Sequence, residues 1–163
     1  NINSSSTYEM EVNAFASSIP MHLDYIIMDC CLMGGVEVAY ELKGVCGKLV
    51  FSQTEVLADG LCNYTNVIGR LLNSSEPDLK GLCEDAYTHY DSQSGSYRSL
   101  TISMIDCAKL GPLAEACAKL FSDYRGKMAL VNPSSVQHYF RYNKHWFYDL
   151  EDILVQSGAS DED

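Results

Sequence analysis

Basic residues are scarce in this chain. Eleven Lys and Arg stand against 22 Asp and Glu, leaving a formal net charge of −11. That balance argues against nucleic-acid binding, which relies on basic patches to displace counterions. It is compatible with attracting basic substrates, although acidity often serves only solubility. No apolar run approaches the ~20 residues of a membrane-spanning helix, so no span is expected. No stretch has the pattern of a secretory signal, which says nothing of one already removed. Cys-x-x-Cys is absent, which excludes a zinc ribbon and a thioredoxin-type site. There is no internal repeat and no acidic cluster with EF-hand spacing.

What is present suffices for one core: 163 residues, 47% of them apolar. The seven cysteines, at 30, 31, 46, 62, 83, 107 and 117, are odd in number, so at least one is unpaired within the chain. Most have apolar neighbours and read as reduced, buried thiols. Ser6-Thr-Tyr-Glu9 reads as a capping box for a helix that Pro20 ends. Tyr25 to Met28, Lys48 to Gln53 and Ser99 to Ile105 read as strands, the first two parallel because a helix joins them. In the third, Leu100, Ile102 and Met104 alternate with polar residues. Leu61 to Leu72, Asp78 to Tyr90, Pro112 to Tyr124 and Asp149 to Leu154 read as helices. The stretch after Asn132 is aromatic and irregular, and Ser157 to Asp163 is a polar acidic tail.

The most informative segment is Asp24-Tyr-Ile-Ile-Met-Asp-Cys-Cys-Leu-Met-Gly-Gly-Val-Glu-Val-Ala-Tyr-Glu-Leu42. A short apolar run stops at Asp29, two cysteines follow, and Val36 to Leu42 reads as a helix ending near Gly44. The cysteines thus fall at the C-terminal end of a strand, the edge at which open α/β sheets bind ligands. A thiol near a helix N-terminus has its thiolate stabilised by unpaired N–H groups and the dipole. Position alone leaves two readings open: a nucleophile, or two small buried residues.

Asp29-Cys-Cys-Leu-Met-Gly-Gly-Val-Glu-Val-Ala-Tyr-Glu-Leu resembles the Asp-Ala-Cys-Leu-Met segment of the clostripain-like cysteine peptidases, relatives of gingipains, caspases and legumains. Val50-Phe-Ser-Gln-Thr-Glu-Val-Leu-Ala-Asp-Gly60 is similar to that family's next strand and acidic loop. Ser99-Leu-Thr-Ile-Ser-Met-Ile-Asp-Cys-Ala-Lys-Leu110 is similar to its later strand. The resemblance covers Asp24 to about Leu120 and matches Cys31 to the family nucleophile, with Cys30 in place of the usual Ala. Strand alternation agrees: Asp29 and Cys31 share a face, and Cys30 is expected buried and inert on the other.

Such a nucleophile needs a base. Of the four histidines, His22 lies at the strand's opposite end, roughly 30 Å away by strand rise. His89, His138 and His145 read as structural or exposed. In the family the His precedes the Cys in a His-Gly segment, which this chain lacks. The resemblance implies a precursor cut between the two. Residues 1–156 would then be the heavy-chain part of a caspase-like α/β/α sandwich, with 157–163 as its tail. Its mostly parallel sheet would be completed by strands from a separate light chain that carries the His.

The resemblance further implies a cysteine endopeptidase cleaving after Arg or Lys. Asp29 and Asp59, at one edge of adjacent strands, would line the primary pocket, with Thr54 and Glu55 in reserve. Against this, Asp29 reads equally as a turn cap and Asp59 as part of an Asp-Gly turn. The Cys31 N–H would be one oxyanion donor and a Gly N–H beside the His the other. The chemistry requires no cofactor, while some members are associated with calcium. The expected partners are the light chain and peptides with Arg or Lys, and the expected location is secreted or in a bacterial cell envelope. Two other classes stay open: a catalytically inactive caspase-like binding protein, and a thiol-dependent hydrolase with a non-peptide substrate.

Overall fold

The computed structural model describes residues 9–57, 59–62, 64–141 and 144–160. Most of the box at Ser6 to Glu9, and the last three residues of the acidic tail, lie outside them. The first helix, α1, spans Val12–Ser18 and stops before Pro20, where the ring would deny it the next hydrogen bond.

The apolar run that follows forms β1, Leu23–Ile27. Helix α2, Val36–Leu42, then leads to β2, Cys46–Phe51. The two strands are parallel, with Leu23 beside Cys46 and Ile27 beside Val50. A parallel pair needs a crossover of this kind, and α2 supplies it. The third strand, β3, is Ser103–Asp106 and runs antiparallel to β2, giving the order β1-β2-β3. The sheet is therefore mixed. Among the described residues β1 is an edge strand with its outer side unpaired.

β3 starts later than the sequence suggests. Upstream of it the Thr101 hydroxyl accepts from the Gln53 and Thr54 N–H groups, both at 3.2 Å. A side chain there does the work of ladder carbonyls, so the segment is joined to β2's continuation without being a strand. Leu100 and Ile102 pack inward, whereas Met104 on this outer strand is exposed.

Both faces of the sheet are covered, which is why β1 and β2 read as near-continuous apolar runs. On one face Ile26, Met28, Leu49 and Phe51 pack with Ala16, Ala39, Leu42 and Leu110. On the other, Tyr25, Ile27 and Val50 pack with Leu61, Leu79 and Leu82. Each fully buried Leu or Phe contributes about 1.5–3 kcal/mol relative to exposure. The second face is roofed by α3, Tyr64–Leu72, and α4, Leu79–Asp91. Asp78 caps α4 by accepting from Gly81 N–H at 2.9 Å. Arg70 joins the two helices through a bidentate contact to Asp85, both bonds at 2.9 Å.

Helix α5, Leu110–Met128, returns along the first face. The aromatic segment after Asn132, expected to be irregular, contains regular structure. It forms a hairpin of β4, His138–Arg141, and β5, Lys144–Tyr148. The register shifts between Tyr139 and Phe140. Helix α6, Leu150–Gln156, follows, with Asp149 as its cap. The expected tail does not begin freely at Ser157: that residue is buried and closes the helix through Ile153.

Candidate active site

Two loops leave the C-terminal ends of the parallel strands side by side, residues 28–35 after β1 and, after β2, residues 52–57 and 59–61. Hydrogen bonds lace them together: Leu32 N–H to Thr54 O at 3.0 Å, and Gly34 N–H to Ser52 O at 2.8 Å. Gly34 permits this approach, since a Cβ there would lie 2.7 Å from Gln53 N. Leu32 adopts a left-handed φ of 64°, which costs a side-chain-bearing residue about 1–2 kcal/mol. Its cross-loop bond helps to hold it.

This turn overturns the alternation argument for Cys30. β1 ends at Ile27, so the face rule no longer applies at positions 29 to 31. Cys30 is exposed, as is Cys31. Partial burial, Asp29 and Cys31 all push the Cys30 thiol pKa up. The Cys31 sulfur accepts from Val56 N–H at 3.1 Å and lies 3.5 Å from Val56 O. The donor that reaches it belongs to the neighbouring loop rather than to the first turn of α2, which begins at Val36.

Asp29 does not cap α2. One carboxylate oxygen accepts from Leu61 N–H at 2.5 Å, and the other from the Tyr64 hydroxyl. That bond to a carboxylate is the main reason the Tyr64 pKa is pushed up to about 12, so Tyr64 stays a donor. Asp59 and Gly60 do form a turn, with Gly60 at φ +83° and its N–H bonded to Leu57 O at 2.9 Å. A Cβ at Gly60 would meet the Asp29 carboxylate at 2.8 Å. Asp59 projects outward, and its carboxylate lies 3.3 Å from His89 Nε2. Asp59, Tyr64, His89 and Tyr90 line a depression of about 340 Å³. Asp29 does not line this depression itself but is bonded to two residues that do, Leu61 and Tyr64.

Of the reserves, Thr54 is committed to Ser52 and Thr101, and Glu55 is half-buried. No histidine hydrogen-bonds Cys31 among the described residues. His22 precedes β1 at its far end, His89 faces Asp59, and His138 and His145 meet on the hairpin with ring centroids 3.9 Å apart. Sequence reasoning missed Val56, Tyr64 and the partnership of His89 with Asp59. No local pattern signals a donor supplied by a backbone N–H, or a pair 30 positions apart. The arrangement presents an accessible thiol bonded to the loop that also bears Asp59, with Asp29 braced from within that loop.

The profile of the clostripain family matches residues 5–162. A sequence search against curated proteins finds no match. Among solved structures, the chain is similar to an inactive zymogen C11 protease from Parabacteroides distasonis: 34% identity, TM-score 0.78, covering 94% of this chain and 43% of that one. It is also similar to a clostripain from Bacteroides thetaiotaomicron bound to the peptide inhibitor BTN-VLTK-AOMK: 28% identity, TM-score 0.73, covering 96% of this chain and 67% of that one. A third likeness is to a secreted C11 cysteine protease of the same organism, iotapain: 28% identity, TM-score 0.72, covering 91% and 41%. The chain thus spans less than half the length of two of these three proteins.

Proposed function

The chain belongs to the clostripain family of cysteine peptidases, and from that premise we propose that it is the nucleophile-bearing part of an endopeptidase cleaving after Arg or Lys. The observation that carries the proposal is the accessible Cys31 thiol, laced by Val56 N–H to the loop that also bears Asp59.

In the reaction, a His on a light chain from the same precursor takes the Cys31 proton as the sulfur attacks the peptide carbonyl. The oxyanion is stabilised by the Cys31 N–H and a second donor beside the His. The C–N bond then breaks, the amine leaves with the proton from His, and water hydrolyses the thioester. The outer side of β1, unpaired among the described residues, supports the two-chain reading, because an open strand edge next to the nucleophile is a ready template for further strands. A basic side chain before the cut bond would be held by Asp59, with Asp29 close behind. The Lys that ends the peptide part of the Bacteroides inhibitor supports a basic preference.

Secretion is proposed by analogy with the secreted relative; no helix among the described residues is long and apolar enough to cross a membrane. Among those residues no group of three or more His, Cys, Asp and Glu side chains converges on a metal position, and no step here runs through calcium.

The test is cleavage of a peptide library by the processed precursor, with Cys31→Ala alongside. Preference for Arg or Lys, lost with Cys31, supports the reading. Preference for Asp or for large apolar residues overturns the specificity. Full activity of the isolated chain overturns the two-chain assignment.

A further inference from the structure

The pocket turn is gripped from α4 at two consecutive positions. The Tyr90 hydroxyl donates to Gly60 O at 2.7 Å. Its neighbour His89 places Nε2 3.3 Å from the Asp59 carboxylate. Tyr90 is buried and Leu82 and Ala86 anchor the same helix, so this end of α4 is a fixed support. The loop backbone has further restraints in Leu61 N–H to Asp29 and Gly60 N–H to Leu57. None of these acts on the Asp59 side chain. That side chain is 69% exposed, against 33% for His89, and among the described residues His89 is its hydrogen-bonding partner.

We propose that His89 is a positioning residue for substrate specificity: by donating from Nε2–H to Asp59, it aims that carboxylate at a basic side chain entering the depression. The proposal rests on the acidic-pocket reading above. An exposed Asp held by nothing must be immobilised each time a substrate binds. Pre-setting it removes an ordering cost worth about two- to tenfold in affinity for one side chain. The carboxylate keeps lone pairs for the substrate, because it has about four acceptor sites and His89 takes one. The gain belongs to substrates with Arg or Lys and should be absent for those with a neutral side chain there.

The experiment uses the full precursor, processed, carrying His89→Ala, His89→Gln or Asp59→Asn, with matched peptides bearing Arg, Lys or a neutral side chain before the cut bond. His89→Ala is expected to raise KM for the Arg and Lys peptides about two- to tenfold, with a smaller change in kcat and on the neutral peptide. His89→Gln, which keeps an N–H donor of similar reach, is expected to restore KM. Unchanged or lower KM in His89→Ala, an equal loss on all three peptides, or failure of His89→Gln to restore KM overturns the assignment. Asp59→Asn separates the levels. If it abolishes the basic preference while His89→Ala does nothing, His89 alone is misassigned. If it leaves the preference intact, the acidic pocket falls and the role of His89 falls with it.

Discussion

Two of the cysteine pairs in this chain live in opposite conditions. Cys30 and Cys31 are exposed in a loop beyond the C-terminal end of β1. Cys46 opens β2 at the other end of the sheet, and Cys107 follows β3; both are buried, with sulfurs 3.8 Å apart. Burial, and then the contact with Cys107, pushes the Cys46 pKa up to about 12. Cys107 is raised for the same leading reason. The sulfur of Cys31, by contrast, meets a backbone N–H donor and stays open to solvent. One side-chain type gives a filler in one place and a candidate nucleophile in the other, and surroundings decide which.

The largest effect that would break this contrast concerns Cys31. Cys31→Ala should lower kcat/KM by roughly four orders of magnitude or more, and Cys30→Ala should keep most of the activity. Equal losses in peptide-cleavage assays would mean that the two exposed thiols are not distinct.

Next comes Asp59, in the loop whose Val56 N–H holds the Cys31 sulfur. Loss of one partner of a buried pair costs roughly 3–5 kcal/mol, but Asp59 is largely exposed, so solvent reduces the effect. Asp59→Asn should lower kcat/KM for Arg peptides by about ten- to a hundredfold and leave alkylation of Cys31 unchanged. An unaltered specificity profile would remove Asp59 from the pocket.

Alkylation read by peptide mass mapping sharpens the comparison directly. In the folded protein Cys31 should react first, Cys30 more slowly, and Cys46 and Cys107 about a hundredfold more slowly still, because they need an opening of the fold. Labelling of Cys46 at the rate of Cys30 would show that the buried pair is not protected.

The buried pair should instead appear in stability. Cys46→Ser places a hydroxyl where the sulfur has no solvent access, and should cost about 1–3 kcal/mol in urea unfolding. An unchanged midpoint would contradict the burial.

The smallest effect lies away from both pairs. Arg70 is the main cause of the lowered Asp85 pKa, and it also lowers that of Asp78, after Gly81 N–H. A depressed folded pKa gives stability that is present above the unfolded value of about 3.9 and lost as pH falls through the folded value. Arg70→Ala should therefore lose less stability than the parent across acid pH. Parallel unfolding curves over that range would show that the pair contributes nothing.

Much of this contrast was legible in the chain, for local reasons. Val36 to Leu42, read as a helix ending near Gly44, forms the helix expected. The apolar runs marked β1 and β2, and the helix between them made them parallel. What the sequence concealed depends on the third dimension. Cys30 read as buried because β1 was extended past Ile27, and nothing about Leu32 announces a left-handed turn. The aromatic stretch read as irregular because the register shift inside its hairpin breaks simple alternation. His89 looked uninformative because its partner comes from a loop that only the packing of α4 brings near.

The lacing of the two loops also bears on how this molecule can diversify. Val56 N–H touches the sulfur, Ser52 and Thr54 hold the backbone around Leu32, and Gly60 sits against Asp29. Residues 52–61 are therefore not a cassette that can be exchanged to change selectivity while the nucleophile stands still. A loop transplanted alone keeps these supports only if it follows the same backbone path and keeps a glycine at position 60, so its conformation and that of the reactive turn change together.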